Sequence, residues 1–275
     1  MKYEKLKSSS EAQFRRVTGV KRKTFEAMIE ILKEAYKIKK SKGGRPSKLG
    51  VEDMLLMALE YIREYRTYLH IATSYGLAES NAFEAIRWVE NVLIKSKEFR
   101  LPGRKALLKS DNEFEIILID ATESPIERPK KKQRRFYSGK KKRHTLKTQV
   151  VVDKATKKII CTEHSNGKKH DFKIFKESNV HFKKSTLALT DTGYLGLQKI
   201  HTKTLMPKKK SKKHPLTSDD KKQNKELSSQ RVLNEHVIGM IKRFKIVSDK
   251  YRNRRKRFGL RFNLIAGICN FELTK

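Results

Sequence analysis

The chain has 275 residues, 37% of them hydrophobic, which is enough for one large domain or two modest ones. Its 66 Lys and Arg outnumber its 30 Asp and Glu and leave a formal charge of +36, so we expect a polyanionic partner, with nucleic acid as the first candidate; charge alone does not separate an enzyme from a protein that only coats nucleic acid. The only two cysteines, Cys161 and Cys269, lie far apart in the sequence, which excludes a disulfide framework and a thiolate metal motif and fits a reducing cytosol.

The sequence predicts neither a signal peptide nor a membrane span. The N-terminal MKYEKLKSSS lacks an apolar core. The longest apolar stretches, near Met54–Ile62 and Leu264–Cys269, are too short to cross a bilayer. We therefore expect a cytoplasmic protein without a membrane partner.

The first third of the chain is predicted to be helical. Apolar residues recur at helical spacing over Phe14–Ala35 and again over Gly50–Tyr65. The basic segment Lys37–Lys48 between them contains two glycines and a proline, so it interrupts the helical pattern. This segment is either a solvated linker or an arm whose Arg45 reaches into the minor groove of DNA.

The stretch Thr67–Lys95 has the pattern of a helix-turn-helix. Gly76 lies where a tight turn between two helices requires a positive φ. Ser80 is a candidate N-cap for the second helix, which we expect to read the major groove of DNA. The alternative is a purely structural helical hairpin with the same spacing. In both cases residues 1–100 are predicted to form an N-terminal helical domain.

Two predicted strands in the second part of the chain are each followed by an aspartate. Ile116–Ile119 is an unbroken aliphatic run, typical of a strand buried on both faces, and it ends on Asp120. Leu187–Leu189 is likewise followed closely by Asp191. A buried carboxylate is costly unless it is paired or bound to a cation, although an aspartate at this place can also simply cap a strand and begin a turn.

The remaining elements of this part alternate between strands and helices. A hairpin, a short helix, a last strand, a basic loop and an amphipathic helix follow one another, at Lys141–His164, His170–Ser178, His201–Met206, residues 206–226 and Ser228–Phe244.

This order is that of an α/β ribonuclease-H-like domain, with a mixed five-stranded sheet and flanking helices, over residues 113–275. In that layout the first and fourth strands are neighbours, so Asp120 and Asp191 can share one site, and a helix packed across the sheet brings Glu235. Three carboxylates beside a phosphodiester imply two Mg²⁺ ions, for which Mn²⁺ can substitute.

The amphipathic helix has one polar face that carries three charged residues. Arg231, Glu235 and Lys242 fall on it because offsets of four and seven residues are one and two helical turns. Glu123 and Glu226 are weaker alternatives to Glu235 as the third acid.

Four motifs carry a resemblance to a known family. They are IDATESPIERP around Asp120, FYSGKKKRHTLKTQ over Phe136–Gln149, LALTDTGYLG around Asp191 and QRVLNEHVIGMIKRF around Glu235. With these motifs the chain resembles the DDE-type transposases of bacterial insertion sequences, and most closely the insertion sequence 5 group. The last motif matches that wider group's signature of Arg, three residues, Glu, six residues and Lys, with Ser228 where a tyrosine is often found.

The resemblance implies a DNA transposase that binds the terminal inverted repeats of its element in double-stranded DNA. A metal-held water would cut the element's ends, and the exposed 3′ hydroxyl would then attack target DNA, with Asp120, Asp191 and Glu235 holding the metals. Because two ends are joined, the resemblance implies at least a homodimer, acting in the bacterial cytosol or nucleoid. The residues implied to contact or guide DNA are Arg231, Lys242, Lys140, Lys141, Lys142, Arg143 and Lys147.

Two other functions stay open from the residues alone. One is a non-catalytic descendant that binds DNA through its helix-turn-helix. The other is a metal-dependent nuclease of the same fold that cuts DNA without joining it. The presence of all three carboxylates favours the transposase.

Overall fold

The computed structural model describes residues 2–109, 114–210 and 215–274. In these three segments no helix is long and apolar enough to span a membrane. The α-helices of these segments are α1 (Glu4–Lys7), α2 (Glu11–Thr18), α3 (Arg22–Ser41), α4 (Val51–Glu64), α5 (Tyr68–Tyr75), α6 (Glu79–Lys95), α7 (Asp171–Glu177), α8 (Ser218–Lys242), α9 (Lys245–Ser248) and α10 (Phe258–Thr274).

The chain divides into two compact units. The helical unit comprises Met1–Arg100, Ile241–Asp249 and Asn253–Lys275, and the sheet unit comprises Leu101–Met240 and Lys250–Arg252. Sequence reasoning placed every residue after 240 in the second domain, whereas most of that segment packs in the helical unit.

The predicted helix Phe14–Ala35 is in fact two helices, because the chain turns at Gly19. This glycine has a φ of 80°, the left-handed conformation that commonly ends a helix. A Cβ at Gly19 would lie 2.8 Å from Cδ of Arg63, so this position also depends on the small size of glycine. The following helix, α3, then continues to Ser41, past the predicted end.

The predicted helix-turn-helix is present as α5, a short turn and α6. Gly76 has a φ of 65°, as the turn requires. The predicted N-cap at Ser80 is wrong, since α6 begins at Glu79. Ala78 already has the extended backbone of an N-cap, with φ of −70° and ψ of 149°, and this places Ser80 inside the first turn of the helix.

The C-terminal helix α10 is fixed within the helical unit by a buried ion cluster and a close backbone contact. Glu90 of α6 is buried and accepts hydrogen bonds from Arg261 Nε at 2.7 Å and from Arg257 at 2.8 Å. A Cβ on Gly267 would lie only 1.8 Å from the carbonyl oxygen of Phe99. The absence of a side chain at Gly267 therefore allows α10 to approach that backbone.

The sheet unit contains one mixed sheet, built from β1 (Ile116–Pro125), β2 (Tyr137–Ser138), β3 (Arg143–Asp153), β4 (Ile159–Asn166), β5 (Leu187–Thr190) and β6 (Thr204–Leu205). The five main strands lie in the order β4-β3-β1-β5-β6. β1 is antiparallel to β3 and parallel to β5, which is parallel to β6. Together with the flanking helices, this confirms the predicted ribonuclease-H-like fold class; the two-residue β2 adds a sixth strand at the start of β3.

The first strand is longer than predicted and does not end at Asp120. Its antiparallel ladder with β3 continues to Pro125, which pairs with Thr145. Just beyond this pair, Ile126 N–H still donates to the carbonyl of His144 in β3 at 2.9 Å. Only the parallel pairing with β5 stops early, at Ile119 and Thr190.

The prediction of a basic loop over residues 206–226 is wrong in its second half, because α8 begins at Ser218. Asp219 and Asp220 occupy the first turn of this helix, where negative charge is stabilising. Asp220 also forms an ion pair with Lys208. Residues 211–214 of the predicted loop lie outside the described residues.

One face of the sheet packs on α7 and on the turn after β5. The shared core contains Ile119, Val151, Phe175 and Tyr194, all of them buried. This packing holds the ends of β1 and β5 at a fixed separation beside the first turn of α7.

Candidate active site

Asp120 and Asp191 are brought to neighbouring positions by the parallel pairing of β1 with β5. The last residues paired between these strands are Ile119 and Thr190, and each aspartate is the next residue of the chain. The carboxyl ends of adjacent parallel strands meet at one edge of a sheet, which is the common position of ligand sites in such folds. The two carboxylates that sequence reasoning paired therefore do lie together.

Backbone N–H groups orient both carboxylates. Ala121 N–H donates to Oδ1 of Asp120 at 2.7 Å, and Gly193 N–H donates to Oδ1 of Asp191 at 2.9 Å. The second bond forms because Asp191 caps a 3-10 turn over Thr192–Tyr194. The Asp-Thr-Gly-Tyr sequence thus forms a turn that fixes the orientation of Asp191 at the end of β5.

The surroundings of Asp120 disfavour its charge. Burial, with smaller contributions from the charges of Asp191 and Asp171, raises the pKa of this carboxyl to about 6, against the lowering effects of the Ala121 N–H and of Arg231. The charges that act on Asp120 are therefore those of two other acids and one arginine. Because neighbouring negative charges repel this carboxylate, a bound cation would stabilise its ionised form.

Asp171 is a member of this cluster that sequence reasoning missed. It is the first residue of α7, and its Oδ1 lies 2.8 Å from Nζ of Lys147. A Cβ on Gly193 would lie 2.7 Å from Oδ2 of Asp171 and 2.9 Å from Oδ1 of Asp191, so both acids approach the same glycine. The only signal in the sequence was an acid at the start of a short helix, which is ordinary at that position.

Two buried polar atoms near these acids, the hydroxyls of Tyr194 and Thr190, have no hydrogen-bond partner among the described residues. Burial raises the pKa of Tyr194 well above its usual range, and Asp171, Asp120 and Asp191 add to the effect. Since buried polar groups are normally paired, these atoms indicate room for water or a ligand at the site.

The two predicted site residues of α8, Arg231 and Glu235, differ in their exposure. Arg231 is half-buried and acts electrostatically on both Asp120 and Tyr194. Glu235, one turn further on, is exposed. Within the described segments, no three Asp, Glu, His or Cys side chains converge closely enough to hold a metal ion, so Glu235 does not complete a triad with the aspartates here.

Lys147 does not lie on the surface as a DNA guide would. Its ammonium is 2.8 Å from Asp171 Oδ1 and 3.7 Å from Glu123 Oε1, and it donates to the carbonyl of Lys169 at 2.9 Å. The side chain is turned inwards because two carboxylates compensate its charge. Glu123 in turn accepts a hydrogen bond from the Thr145 hydroxyl at 2.8 Å.

The other predicted DNA-contacting residues differ in position. Arg45 is exposed, and the adjacent backbone is held by Lys40, which donates to the carbonyl of Gly44 at 3.1 Å. Lys242 is the half-buried last residue of α8 and falls in the helical unit. The exposed basic residues before and at the start of β3 are Lys140, Lys141, Lys142 and Arg143.

The donor chemistry of the site fits a hard divalent cation. Asp120 and Asp191 offer carboxylate oxygens, and the neighbouring hydroxyls of Thr190 and Tyr194 have no partner among the described residues. Oxygen donors of this kind are the ligands that Mg²⁺ takes, usually together with several waters. A bound cation would also relieve the repulsion that raises the pKa of Asp120.

Two family models match the chain. The model described as DDE superfamily endonuclease matches residues 119–270, which is more than half of the chain. The model described as helix-turn-helix of DDE superfamily endonuclease matches residues 47–98, from before α4 to the end of α6. The first match includes Asp120, Asp191 and Glu235.

Two similar proteins agree with these matches. The chain is 48% identical over 274 residues to "Probable transposase for insertion sequence element IS702" of Microchaete diplosiphon, which covers 100% of this chain and 99% of the relative. It is 26% identical over 237 residues to "Putative transposase for insertion sequence element IS112" of Streptomyces albus G, with 84% of each chain covered. Placement in the insertion sequence 5 group stays a prediction.

The two family models and the 48% identical relative together show the family. The chain belongs to the DDE superfamily of transposase endonucleases and carries that family's helix-turn-helix domain.

Proposed function

We propose that the protein is an active transposase, which binds the terminal inverted repeats of its element, cleaves DNA there and transfers the strand to target DNA. The observation that supports this most is the pair formed by Asp120 and Asp191 at adjoining ends of two parallel strands, with the pKa of Asp120 raised to about 6. A purely DNA-binding protein has no need for two mutually repelling carboxylates at a sheet edge.

The proposed metal ligands are Asp120 and Asp191. Two bound Mg²⁺ ions, or Mn²⁺ in their place, would activate the attacking oxygen and stabilise the leaving 3′ oxygen of the phosphodiester. Arg231, whose charge acts on Asp120, would meet the negative phosphate oxygens of the bound DNA. The Ala121 and Gly193 N–H groups keep the two carboxylates oriented.

For the third acid we retain Glu235, because it lies one helical turn from Arg231, which already lies near Asp120. A bound metal ion would attract its exposed carboxylate towards the aspartates. Asp171 is the second candidate, favoured by its position against Gly193 beside Asp191. Separate substitutions of the two acids distinguish them.

Double-stranded DNA is the proposed partner of both units. The helix α6 would enter the major groove as the second helix of the helix-turn-helix, and Arg45 would reach the neighbouring minor groove. Arg231, Lys242 and the basic residues 140–143 would contact backbone phosphates. Two element ends must be brought together, so we expect a homodimer or a larger assembly on DNA.

The decisive experiment incubates the purified protein with Mg²⁺ or Mn²⁺ and DNA that carries the element's inverted repeats. Joined products identify a transposase, nicks alone identify a nuclease, and a mobility shift without cutting identifies a DNA-binding relic. Asp120→Asn should abolish cleavage and joining while the mobility shift survives, because it removes a metal ligand and leaves the DNA-binding surfaces intact.

The matched control for this experiment is Glu163→Gln. Burial also raises the pKa of Glu163, an acid of β4, and the acid that adds to this effect is Glu177. This variant should cut as well as the unmodified protein. Equal cleavage by Asp120→Asn would remove Asp120 from the site.

A further inference from the structure

A cavity of about 730 Å³ opens on the sheet unit away from the aspartates and has a basic and aromatic lining. We call it the tyrosine pocket. Its volume lies in the range of small-molecule sites. No acidic side chain lines it in the described part of the chain, and the lining residues that matter are Arg128, Gln133, Arg134, Tyr137, His144 and Lys168.

Tyr137 provides an open aromatic surface in this pocket. Its side chain is 43% exposed, which is unusual for a large ring on a paired strand. The ring meets His144 edge to face, with the ring centroids 5.6 Å apart. The contact holds the tyrosine without covering it, so another flat ring can stack on Tyr137.

The walls of the pocket are held by backbone pairing. Tyr137 pairs directly with His144 across β2 and β3, and Thr145 N–H donates to the carbonyl of Phe136 at 2.8 Å. Arg128 Nε donates to Oε1 of Gln133 at 2.9 Å. The rings and the arginine are thus arranged before any ligand arrives, which lowers the entropy lost on binding.

The tyrosine pocket lies on the same side of the sheet as Asp120. Asp120 pairs with Val150 of β3, and side chains directly opposite each other in an antiparallel pair point to the same face. His144 precedes Val150 by six residues, an even number, so it shares that face. At 3.3 Å per residue, the pocket is about 20 Å from the aspartate along the strand.

From these features we infer that the tyrosine pocket binds an unpaired nucleotide of the DNA on which the proposed active site acts. The base would stack on Tyr137, and Arg128, Arg134 and Lys168 would hold the adjoining phosphates. A base inside a duplex is already stacked on both faces, so only an unpaired or extruded base can use the ring. The inference rests on the proposed function for the identity of the DNA, while the pocket itself is tested separately.

The test uses the full chain, without divalent metal, and two DNA probes of equal length. One is a blunt duplex, and the other is a duplex with a single-stranded overhang that contains 2-aminopurine. Stacking on Tyr137 should quench the fluorescence of the overhang and make it bind about tenfold more tightly than the blunt duplex. Tyr137→Ala should lose both effects, and Tyr137→Phe should keep them because the ring remains.

Basic residues supply the second arm of the test. Lys168→Ala and Arg134→Ala should weaken binding of the overhang, while Lys176→Ala, an exposed lysine of α7 that stacks on Phe172, should not. If Tyr137→Ala proves unstable by thermal denaturation, Tyr137→Leu replaces it, because leucine keeps most of the bulk and offers no ring on which a base can stack.

Equal affinity for both probes, or unchanged quenching in Tyr137→Ala, would overturn the inference and leave only a surface for duplex phosphates. The outcome is independent of catalysis. Cleavage without overhang preference refutes the pocket and not the transposase, whereas overhang preference without cleavage refutes the transposase and not the pocket.

Discussion

At the scale of single residues, the main property of the candidate site is a group of acidic side chains whose negative charge is only partly compensated. Asp120 has one arginine nearby and two acids, and burial contributes most to its raised pKa. Lys147, by contrast, is compensated by Asp171 and Glu123. We assign metal binding to Asp120, the acid whose charge is not compensated.

Asp120→Asn should stabilise the metal-free protein while it abolishes activity. The pKa of Asp120 is near 6 in the fold against an ordinary value of 3.8, so its ionisation disfavours folding; this cost appears as the pH rises above about 4 and is complete above about 6. The variant should therefore unfold with a free energy higher by roughly 3 kcal/mol at pH 7 and unchanged at pH 3. Urea unfolding with a chelator present measures this difference.

The same variant separates a metal ligand from a strand cap. Added Mg²⁺ should raise the melting temperature of the unmodified protein and have little effect on Asp120→Asn, because binding to the folded state alone stabilises it. Destabilisation by the substitution at pH 7 would show that the carboxylate caps the strand and would contradict the proposed role.

Asp171→Asn should lower Mg²⁺-dependent cleavage by roughly 10- to 100-fold and leave DNA binding unchanged, since it removes a charge beside Asp191 and the partner of Lys147. Glu177→Gln, on the same helix, is the control, because Glu177 is the last residue of α7 and pairs with Lys169. Rates of strand cleavage for both variants and for Glu235→Gln rank the acids. Full activity of Asp171→Asn would remove this residue from the site.

At the scale of elements, two glycines in long helices have opposite requirements. Gly267 in α10 faces the backbone of Phe99, and an added Cβ would lie 1.8 Å from that carbonyl oxygen. Gly239 in α8 has nothing within 4 Å of such a Cβ. The two positions look alike in the sequence, and only packing distinguishes them.

Gly267→Ala should lower the free energy of unfolding by about 3 kcal/mol, because either α10 or the Phe99 backbone must move. Gly239→Ala should instead raise it by roughly 0.5 kcal/mol, since alanine is the better helix former and meets no obstacle. Thermal denaturation of both variants tests the pair. Similar effects of the two substitutions would show that α10 does not pack against Phe99 as described.

At the scale of the whole molecule, the charge of +36 sets the expected behaviour with DNA. The affinity for duplex DNA should fall steeply as salt rises, by about 10³-fold or more between 50 and 200 mM for six or more phosphate contacts. Fluorescence anisotropy across a salt series measures the slope. A flat response would contradict binding through phosphates.

The sequence alone determined the elements whose signals are local. The aliphatic runs before Asp120 and Asp191 predicted strands, and Gly76 predicted the turn between α5 and α6, because periodicity and turn chemistry act over a few residues. The order of these elements then sufficed for the fold class, and motif resemblance sufficed for the family.

Tertiary structure alone decided which distant residues meet. It placed Asp171 against Gly193, turned Lys147 inwards, left Glu235 at the surface and joined α10 to the helical unit through Glu90. None of these contacts has a signature in the neighbouring sequence, since each depends on packing and charge compensation between segments far apart in the chain. Local pattern therefore specified the parts of this protein, and burial and long-range electrostatics specified their arrangement.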